Sequence, residues 1–217
     1  MGSGYGWAVL QTSGLQDPLA KALQFLSHPA PRTPHPAPMK SIAVDMDEVV
    51  ADLLPKYHSI YEAHTGRRAS EAELTGTKYY HLDDAPPMRE RLHERGFFRD
   101  LPVMAGAQEG LDFLRRRFRV YFVTAAMEFP TSFEDKYAWL HEHFPWVHWR
   151  HIVFCGDKSL IGTDYMLDDH GFNLESFGGT PLLFDALHNR GETRFRRLRG
   201  WGEVTEFFRA ETTAATP

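Results

Sequence analysis

The 217-residue sequence has few features of a secreted, membrane-spanning or nucleic-acid-binding protein. Its one cysteine, Cys155, excludes an internal disulfide and is typical of a reducing compartment, so we expect a cytoplasmic protein. No stretch approaches the roughly 18 consecutive apolar residues of a membrane span, and the N-terminus lacks the basic start and apolar run of a secretory signal. A net charge of −5 disfavours binding to nucleic-acid polymers or anionic membranes, which usually requires a basic excess.

The composition is that of a globular chain, with 42% hydrophobic and 13% aromatic residues. The length suits one core domain that carries a small insertion. Residues 1–38 differ from the rest, because five of the ten residues from Pro29 to Pro38 are proline, which blocks helices and central strands. We therefore predict a flexible, Pro-rich N-terminal extension over residues 1–38, and we expect the natural start at Met39.

Short apolar runs alternate with helical patterns along the remainder of the chain. The runs predict five strands, at residues 42–44, 120–123, 152–154, 165–167 and 181–184. Helices are predicted at 107–116, 133–144 and 204–209. Strands that alternate with helices indicate βαβ units, so the predicted fold class is α/β, a Rossmann-like parallel sheet of about five strands flanked by helices.

The region after the first strand is predicted to form a small helical cap. Asp52 is a suitable N-cap for a helix that ends before Gly66, residues 70–73 have the pattern of a capping box, and residues 88–95 form another short helix. No strand pattern interrupts them. We therefore predict a core domain over residues 39–66 and 101–210, and a cap over residues 67–100 that includes part of the preceding helix.

Polar residues follow four successive predicted strands, at the point where each strand ends. They are Asp45, Asp47, Thr124, Lys158, Asp168 and Asp169. Because the carboxyl ends of parallel strands lie along one edge of a sheet, these side chains should form one site in a crevice. A single Asp-x-Asp is expected by chance in a chain with 14 aspartates, but the placement of all four groups at strand ends is much harder to attribute to chance.

The chemistry that uses this set of groups is phosphoryl transfer. A phosphate monoester repels nucleophiles, so a Mg²⁺ ion and the ammonium of Lys158 must offset its charge. Asp45 is then the candidate nucleophile and Asp47 the candidate acid and base. Thr124 would hold phosphate oxygens. Asp168 and Asp169 would complete a metal site of hard oxygen ligands.

These residues resemble the four motifs of the haloacid dehalogenase superfamily, and more closely the 5'(3')-deoxyribonucleotidases. The similar segments cover nearly all of residues 40–190 in the right order. They are Asp45-Met46-Asp47, Ala51-Asp52, Gly96-Phe97-Phe98, Gly106-Ala107, Phe133 to Trp139, Asp157-Lys158, Leu167-Asp168-Asp169, Phe184 and His188-Asn189. The resemblance implies a Mg²⁺-dependent phosphatase that hydrolyses deoxyribonucleoside monophosphates through an aspartyl-phosphate.

The resemblance also implies site residues beyond the strand ends. Mg²⁺ would bind the Asp45 carboxylate, the backbone carbonyl of Asp47, and one of Asp168 or Asp169. The cap would enclose the nucleotide between aromatic rings, with Phe98 as the candidate stacking residue, although packing inside the cap explains Phe98 equally well. Thr124, Ala125 and Lys158 would bind the phosphate.

The sequence departs from the family pattern at two positions. Glu48 stands where the family usually has glycine, and Ala125 and Ala126 replace the serine and proline of a Thr-Ser-Pro motif. Both changes leave the catalytic atoms in place but alter the substrate pocket. Two alternatives therefore stay open: a phosphatase for another small phosphoester, and a non-catalytic phosphate-binding module. Monomer and homodimer also both stay open.

Two polar clusters have less specific interpretations. The histidines at 141, 143, 148 and 151 are a weak zinc candidate, because spacing of two residues places His141 and His143 on different sides of a helix and no cysteine pair accompanies them. The arginines at 194, 196, 197 and 199 are expected to form a solvated face, and a patch for RNA or another partner has no interleaved aromatic residues to support it.

Overall fold

The computed structural model describes residues 39–214, so the predicted N-terminal extension lies outside the described residues. Six strands form one sheet: β1 Ser41–Val44, β2 Arg119–Thr124, β3 Ile152–Phe154, β4 Tyr165–Asp168, β5 Thr180–Phe184 and β6 Arg196–Leu198. All pairings are parallel, and the strand order is β3-β2-β1-β4-β5-β6. The predicted α/β class and parallel sheet are therefore confirmed, with one strand more than expected.

Seven α-helices accompany the sheet within the described residues. They are α1 Leu54–Thr65, α2 Glu71–Leu74, α3 Met88–Arg91, α4 Ala107–Arg115, α5 Ser132–His143, α6 Gly171–Glu175 and α7 Trp201–Ala214. Short 3₁₀ turns lie at Tyr79–His81, Ala126–Glu128, Trp149–His151, Lys158–Leu160 and Leu187–Asn189. No helix among residues 39–214 is long and apolar enough to cross a membrane.

The central strand β1 is buried on both faces, as its apolar sequence predicts. Ile42 and Val44 belong to the larger apolar cluster, whereas Ala43 belongs to a smaller cluster on the opposite face with Val123 and Met166. Successive side chains of a strand point to opposite faces, so one short run contributes to both layers of the core. This burial fixes the end of β1, and hence Asp45, near the centre of the molecule.

The sixth strand was missed because its sequence is dominated by arginine. In β6 only Leu198 enters the apolar core, while the Arg196 guanidinium lies over the Phe207 ring. Arg197 is partly buried and donates hydrogen bonds to Asp185 and Asn189. The expectation of a fully solvated arginine face is therefore wrong for Arg197, because its planar guanidinium satisfies acceptors at the edge of the sheet.

The segment between α1 and α4 contains helices and turns, as predicted. The Ser70 hydroxyl accepts a hydrogen bond from the Glu73 N–H, and the Glu73 carboxylate accepts one from the Ser70 N–H, which is the predicted capping box. Gly66 ends α1 with φ of 75°, a left-handed conformation that suits glycine. Helix α3 is shorter than expected. The function of residues 67–100 as a cap stays a prediction.

Helix α1 begins one residue later than the sequence suggested. Leu53 rather than Asp52 occupies the N-cap position, and Pro55 lies in the first turn. The Asp52 carboxylate still accepts a hydrogen bond from the N–H of Leu54, at 3.1 Å, so it satisfies one of the free donors at the start of the helix.

Candidate active site

The polar residues predicted to converge do lie together at the carboxyl edge of the sheet. Strands β3, β2, β1 and β4 are neighbours, and each ends in one of the predicted groups or is followed by one within four residues. A cavity of about 250 Å³ opens at this edge. Its walls include Asp45, Asp47, Phe98, Thr124, Ala125, Lys158 and Asp169. Asp168 is fully buried beside the cavity, so every predicted site residue lies in or next to one space.

Lys158 connects the ends of β1 and β4. Its ammonium lies 2.7 Å from Oδ1 of Asp45 and 2.6 Å from Oδ2 of Asp168, and all three side chains are buried. Burial disfavours the ammonium, but the two carboxylates outweigh burial and raise the pKa of Lys158 above its ordinary value. The lysine is therefore a fixed positive charge beside Asp45.

Asp168 is fully engaged by protein donors. Besides Lys158, its oxygens accept hydrogen bonds from the His170 N–H at 2.8 Å and from the Asn173 amide at 3.0 and 3.1 Å. Asp169 differs, because its Oδ1 is buried with no hydrogen-bond partner among residues 39–214. An unpartnered buried carboxylate oxygen carries a desolvation cost that a bound cation would remove. Asp169 therefore has the freer oxygen for a metal.

The carboxylates of Asp45, Asp168 and Asp169 fit a divalent cation. One oxygen from each lies within 4.8 Å of the others, and all three residues are buried. Burial, aided by the neighbouring carboxylates, raises the pKa of Asp45 well above its ordinary value, even though Lys158 opposes this. A cation among these oxygens would favour the ionised carboxylate. The donors are the hard oxygens that Mg²⁺ prefers.

Asp47 also lines the cavity, and it lies next to a buried lysine to which the sequence motifs assigned no function. The ammonium of Lys136, from α5, lies 2.5 Å from Oδ2 of Asp47 and 2.9 Å from Oγ1 of Thr124. Oδ1 of Asp47 has no hydrogen-bond partner in the described part of the chain. Lys136 therefore fixes the Asp47 carboxylate through one oxygen and leaves the other free.

Two basic side chains, His188 and Lys78, lie close to the carboxylate of Asp169. Nε2 of His188 lies 3.2 Å from its Oδ2, and the ammonium of Lys78 lies 3.9 Å from the same oxygen. Burial lowers the basicity of His188, but Asp169 and Glu48 outweigh burial and raise its pKa to about 9. His188 is thus a second positive group beside the metal-site carboxylates. His188 and Lys136 belong to segments that carry the family resemblance, whereas no pattern in the sequence indicated Lys78.

Aromatic rings form the remaining wall of the cavity. Phe98 is 1% exposed, its ring centroid lies 5.1 Å from that of Phe97 and 6.0 Å from that of Phe129, and the Lys136 ammonium is 4.7 Å from its centre. Phe98 thus packs in an aromatic cluster and also lines the cavity. Its function as a stacking residue stays a prediction. Tyr80, Phe129 and Phe172 also line the cavity and were not predicted.

The parallel sheet with four aspartates and a buried lysine at its carboxyl edge defines the class of protein by its fold, which is that of the haloacid dehalogenase-like proteins. A haloacid dehalogenase-like family hydrolase from Streptococcus pneumoniae shares the fold, with a TM-score of 0.50 and 11% sequence identity. The match covers 78% of this chain and 98% of that chain.

Sequence comparison places the chain within this class. The family model described as "5' nucleotidase, deoxy (Pyrimidine), cytosolic type C protein" matches residues 39–213. A Staphylococcus aureus (strain Mu50) protein whose name assigns it to the 5'(3')-deoxyribonucleotidases is 43% identical over 171 residues, which cover 78% of this chain and 95% of that protein. The 5'(3')-deoxyribonucleotidase of Bacillus subtilis (strain 168) is 38% identical over 176 residues, covering 76% and 96%.

The chain belongs to the 5'(3')-deoxyribonucleotidase family. The family predicted from the sequence motifs is thereby confirmed, and with it the predicted enzyme class, a phosphoric monoester hydrolase of the 5'-nucleotidase type.

Proposed function

We propose that the protein is a Mg²⁺-dependent phosphatase that converts deoxyribonucleoside monophosphates to nucleoside and phosphate. The observation that carries this proposal is the buried arrangement of Asp45, Lys158 and Asp169 at the end of the central strand. Nucleophilic attack on a phosphate dianion requires a carboxylate beside positive charge, which here would come from a fixed ammonium and from a metal ion bound by carboxylate oxygens. Membership in the deoxyribonucleotidase family supports the choice of substrate.

Asp45 is the proposed nucleophile. One of its oxygens attacks phosphorus, the ester bond to the leaving alkoxide breaks, and an aspartyl-phosphate forms. Lys158 lies 2.7 Å from Oδ1 of Asp45, so it lowers the electrostatic repulsion between the carboxylate and the incoming phosphate. The same lysine is held by Asp168, which fixes its direction.

Asp47 is the proposed acid and base. It donates a proton to the leaving alkoxide, and its carboxylate then takes a proton from the water that attacks the aspartyl-phosphate. Lys136 holds Oδ2, so the unpartnered Oδ1 is the atom that we assign to proton transfer.

Thr124, at the end of the neighbouring strand β2, is the proposed phosphate ligand. Its Oγ1 accepts a hydrogen bond from the Lys136 ammonium, so the hydroxyl proton is left to donate elsewhere. Thr124 and Ala125 both line the cavity, and we propose that the hydroxyl donates to a phosphate oxygen. The loss of a serine at position 125 removes one further donor relative to the family pattern.

Asp45 and Asp169 are the proposed side-chain ligands of Mg²⁺, together with the backbone carbonyl of Asp47. When bound, the ion would neutralise phosphate charge and favour ionised Asp45. Asp168 is better assigned to positioning, because both of its oxygens already accept hydrogen bonds. The location in the cytoplasm and the choice between monomer and homodimer stay predictions.

The decisive experiment is phosphate release from a panel of deoxyribonucleoside and ribonucleoside monophosphates and sugar phosphates, with Mg²⁺ or with EDTA. Wild type and Asp45→Asn are compared. We expect metal-dependent turnover of deoxynucleotides that Asp45→Asn abolishes. A preference for a sugar phosphate would replace the proposed substrate and leave the mechanism intact. Binding of phosphate without turnover of any compound would favour the non-catalytic alternative, and turnover by Asp45→Asn would refute the nucleophile assignment.

A further inference from the structure

Glu48 has an unfavourable backbone conformation directly after Asp47. Its φ is 58°, the one positive value among the non-glycine residues of the described chain. L-residues pay a steric cost in this left-handed region, where glycine is preferred. Such strain is retained when surrounding interactions enforce it, and it is most common at functional sites. The contacts of the Glu48 side chain must therefore offset this steric cost.

The Glu48 carboxylate forms an ion pair that joins two distant parts of the chain. Its Oε2 lies 2.5 Å from the ammonium of Lys78, and 3.7 Å from Nδ1 of His188. Glu48 belongs to the loop after β1, and Lys78 belongs to the segment of residues 67–100, directly before the Tyr79–His81 turn. The two side chains are only 16% and 15% exposed, so solvent screens their interaction weakly.

Lys78 is placed beside the metal-site carboxylates as well as beside Glu48. Its ammonium lies 3.0 Å from Nε2 of His170 and 3.9 Å from Oδ2 of Asp169, and the residue lines the same cavity as Asp45. Asp169 and Asp45 in turn offer oxygens within 4.8 Å of each other. The ammonium therefore borders the space that a phosphate in contact with Asp45 would occupy.

Because the cavity is lined by acidic residues, binding of a phosphate monoester requires further positively charged side chains. Asp45, Asp47, Glu48 and Asp169 line it, and a phosphate monoester adds two further negative charges. Of the buried lysines, Lys158 interacts with the metal-site carboxylates and Lys136 with the acid–base aspartate. Lys78 is the third lysine, and it approaches from the segment outside the sheet. Its ammonium lies 3.9 Å from Oδ2 of Asp169, beyond hydrogen-bond distance, so Asp169 does not use one of its N–H donors.

We propose that Lys78 is a substrate-binding residue that donates to the phosphate group, and that Glu48 positions it by means of the strained loop after β1. This inference rests on the proposed phosphatase function. It assigns one residue from residues 67–100 to the recognition of phosphate, and it gives Glu48 a positioning function at the position where the family pattern has glycine.

The test compares Lys78→Met, Glu48→Gln and the double variant Glu48→Gln/Lys78→Met with wild type. The first measurement is KM and kcat for the deoxynucleotide that wild type hydrolyses fastest. The second is the affinity for inorganic phosphate in the presence of Mg²⁺, from the shift in unfolding temperature, which needs no turnover. Lys56→Met is the matched control. Like the pair of Glu48 and Lys78, the pair of Lys56 and Asp100 joins the core to the segment of residues 67–100.

We expect Lys78→Met to raise KM and to weaken phosphate binding by about ten-fold, with a smaller change in kcat, because it removes a charge-assisted hydrogen bond. Lys78→Arg, which keeps the charge, should recover part of the affinity. The double variant should retain the defect, because the loss of the ligand contact does not depend on Glu48. Lys56→Met should match wild type in both measurements.

If the double variant had the KM and phosphate affinity of wild type, the proposal would be refuted. That result would show that Lys78 serves only as the counter-ion of Glu48. A raised KM with unchanged phosphate affinity would also refute the phosphate contact. The double variant removes both charges of the pair, so it stays interpretable if Lys78→Met is too unstable to study. Failure of wild type to hydrolyse any phosphomonoester would refute the proposed function, whereas phosphate affinity tests Lys78 separately.

Discussion

The ammonium of Lys136 lies 2.5 Å from Oδ2 of Asp47, so a side chain of helix α5 holds a residue of the loop after β1. The same ammonium reaches Thr124 at the end of β2. Lys136 is 1% exposed, and both of its polar partners line the cavity. One buried lysine thus sets the directions of the proposed acid–base carboxylate and of the proposed phosphate ligand.

Replacement of Lys136 tests this positioning function. We expect Lys136→Met to lower kcat by about 10- to 100-fold, a part of the roughly 10²–10⁴-fold that acid–base catalysis contributes, because Asp47 and Thr124 lose their shared donor. Steady-state kinetics measures the effect, and circular dichroism confirms the fold. Lys56→Met is the control, because Lys56 is also partly buried but does not line the cavity. A kcat within about two-fold of wild type would contradict a positioning function for Lys136.

Substitution of Asp169 should reveal the metal site. We expect Asp169→Asn to raise the Mg²⁺ concentration for half-maximal activity by at least about ten-fold, because the unpartnered Oδ1 is the oxygen assigned to the ion. The readouts are a Mg²⁺ titration of activity and a calorimetric titration of Mg²⁺ binding. Ser159→Ala, at a hydroxyl that hydrogen-bonds only the nearby Asp157 carboxylate among the described residues, is the control. An unchanged Mg²⁺ affinity would exclude Asp169 as a ligand.

The strain at Glu48 predicts a stability difference between two variants. Glu48→Gly and Glu48→Ala both delete the carboxylate, and they differ only in the Cβ atom at a φ of 58°. We expect the glycine variant to be more stable than the alanine variant by about 1 kcal/mol, because only alanine retains the steric cost of the left-handed region. Urea denaturation measures this difference. Equal stability would mean that the loop relaxes when the ion pair with Lys78 is lost.

The contact between α4 and α7 predicts opposite effects for two glycine substitutions. A Cβ at Gly110 would overlap with the Trp201 ring, whereas a Cβ at Gly202 would meet no atom within 4 Å. We expect Gly110→Ala to destabilise the protein by about 1–3 kcal/mol through overpacking. Gly202→Ala should be neutral or stabilising by up to about 1 kcal/mol, since alanine favours the helix. Thermal unfolding of both variants checks the difference in sign.

Asp164 predicts a pH dependence of stability. Its Oδ2 accepts hydrogen bonds from the backbone N–H of Ser41 at 2.7 Å and from the Ser41 hydroxyl at 2.8 Å. The backbone donor, followed by the hydroxyl, holds the pKa of Asp164 below its ordinary value of about 3.9. The folded state thus binds the proton less tightly than the unfolded state does, so the stabilisation is present above about pH 4 and declines as the pH falls further.

The matching experiment is urea denaturation of wild type and Asp164→Asn at several pH values. We expect wild type to be more stable by up to about 1 kcal/mol at pH 7, with a small effect because the site is largely exposed. The difference should shrink below pH 4. A constant difference across this range would show that the carboxylate charge does not contribute.

The convergence of the site residues could be predicted from the sequence. Asp45, Thr124, Lys158 and Asp168 each occur where an apolar run stops, and a parallel sheet brings such positions to one edge. The prediction required only the strand pattern and the direction of the strands. The sixth strand was not predicted, because two of its three residues are arginines, of which Arg196 is exposed and Arg197 is partly buried against acceptors elsewhere in the chain.

The sequence by itself determined the α/β class, the buried central strand and the alignment of the candidate catalytic groups, because apolar periodicity and the alternation of strands with helices are local properties of the chain. Beyond Lys158, only the tertiary structure decided which lysines lie at the candidate site. Lys136 and Lys78 lie far along the chain from Asp47 and Glu48, and their selection depends on how α5 and residues 67–100 pack over the sheet edge. It also distinguishes Asp168 from Asp169, since only three-dimensional packing shows which carboxylate oxygen already has a donor.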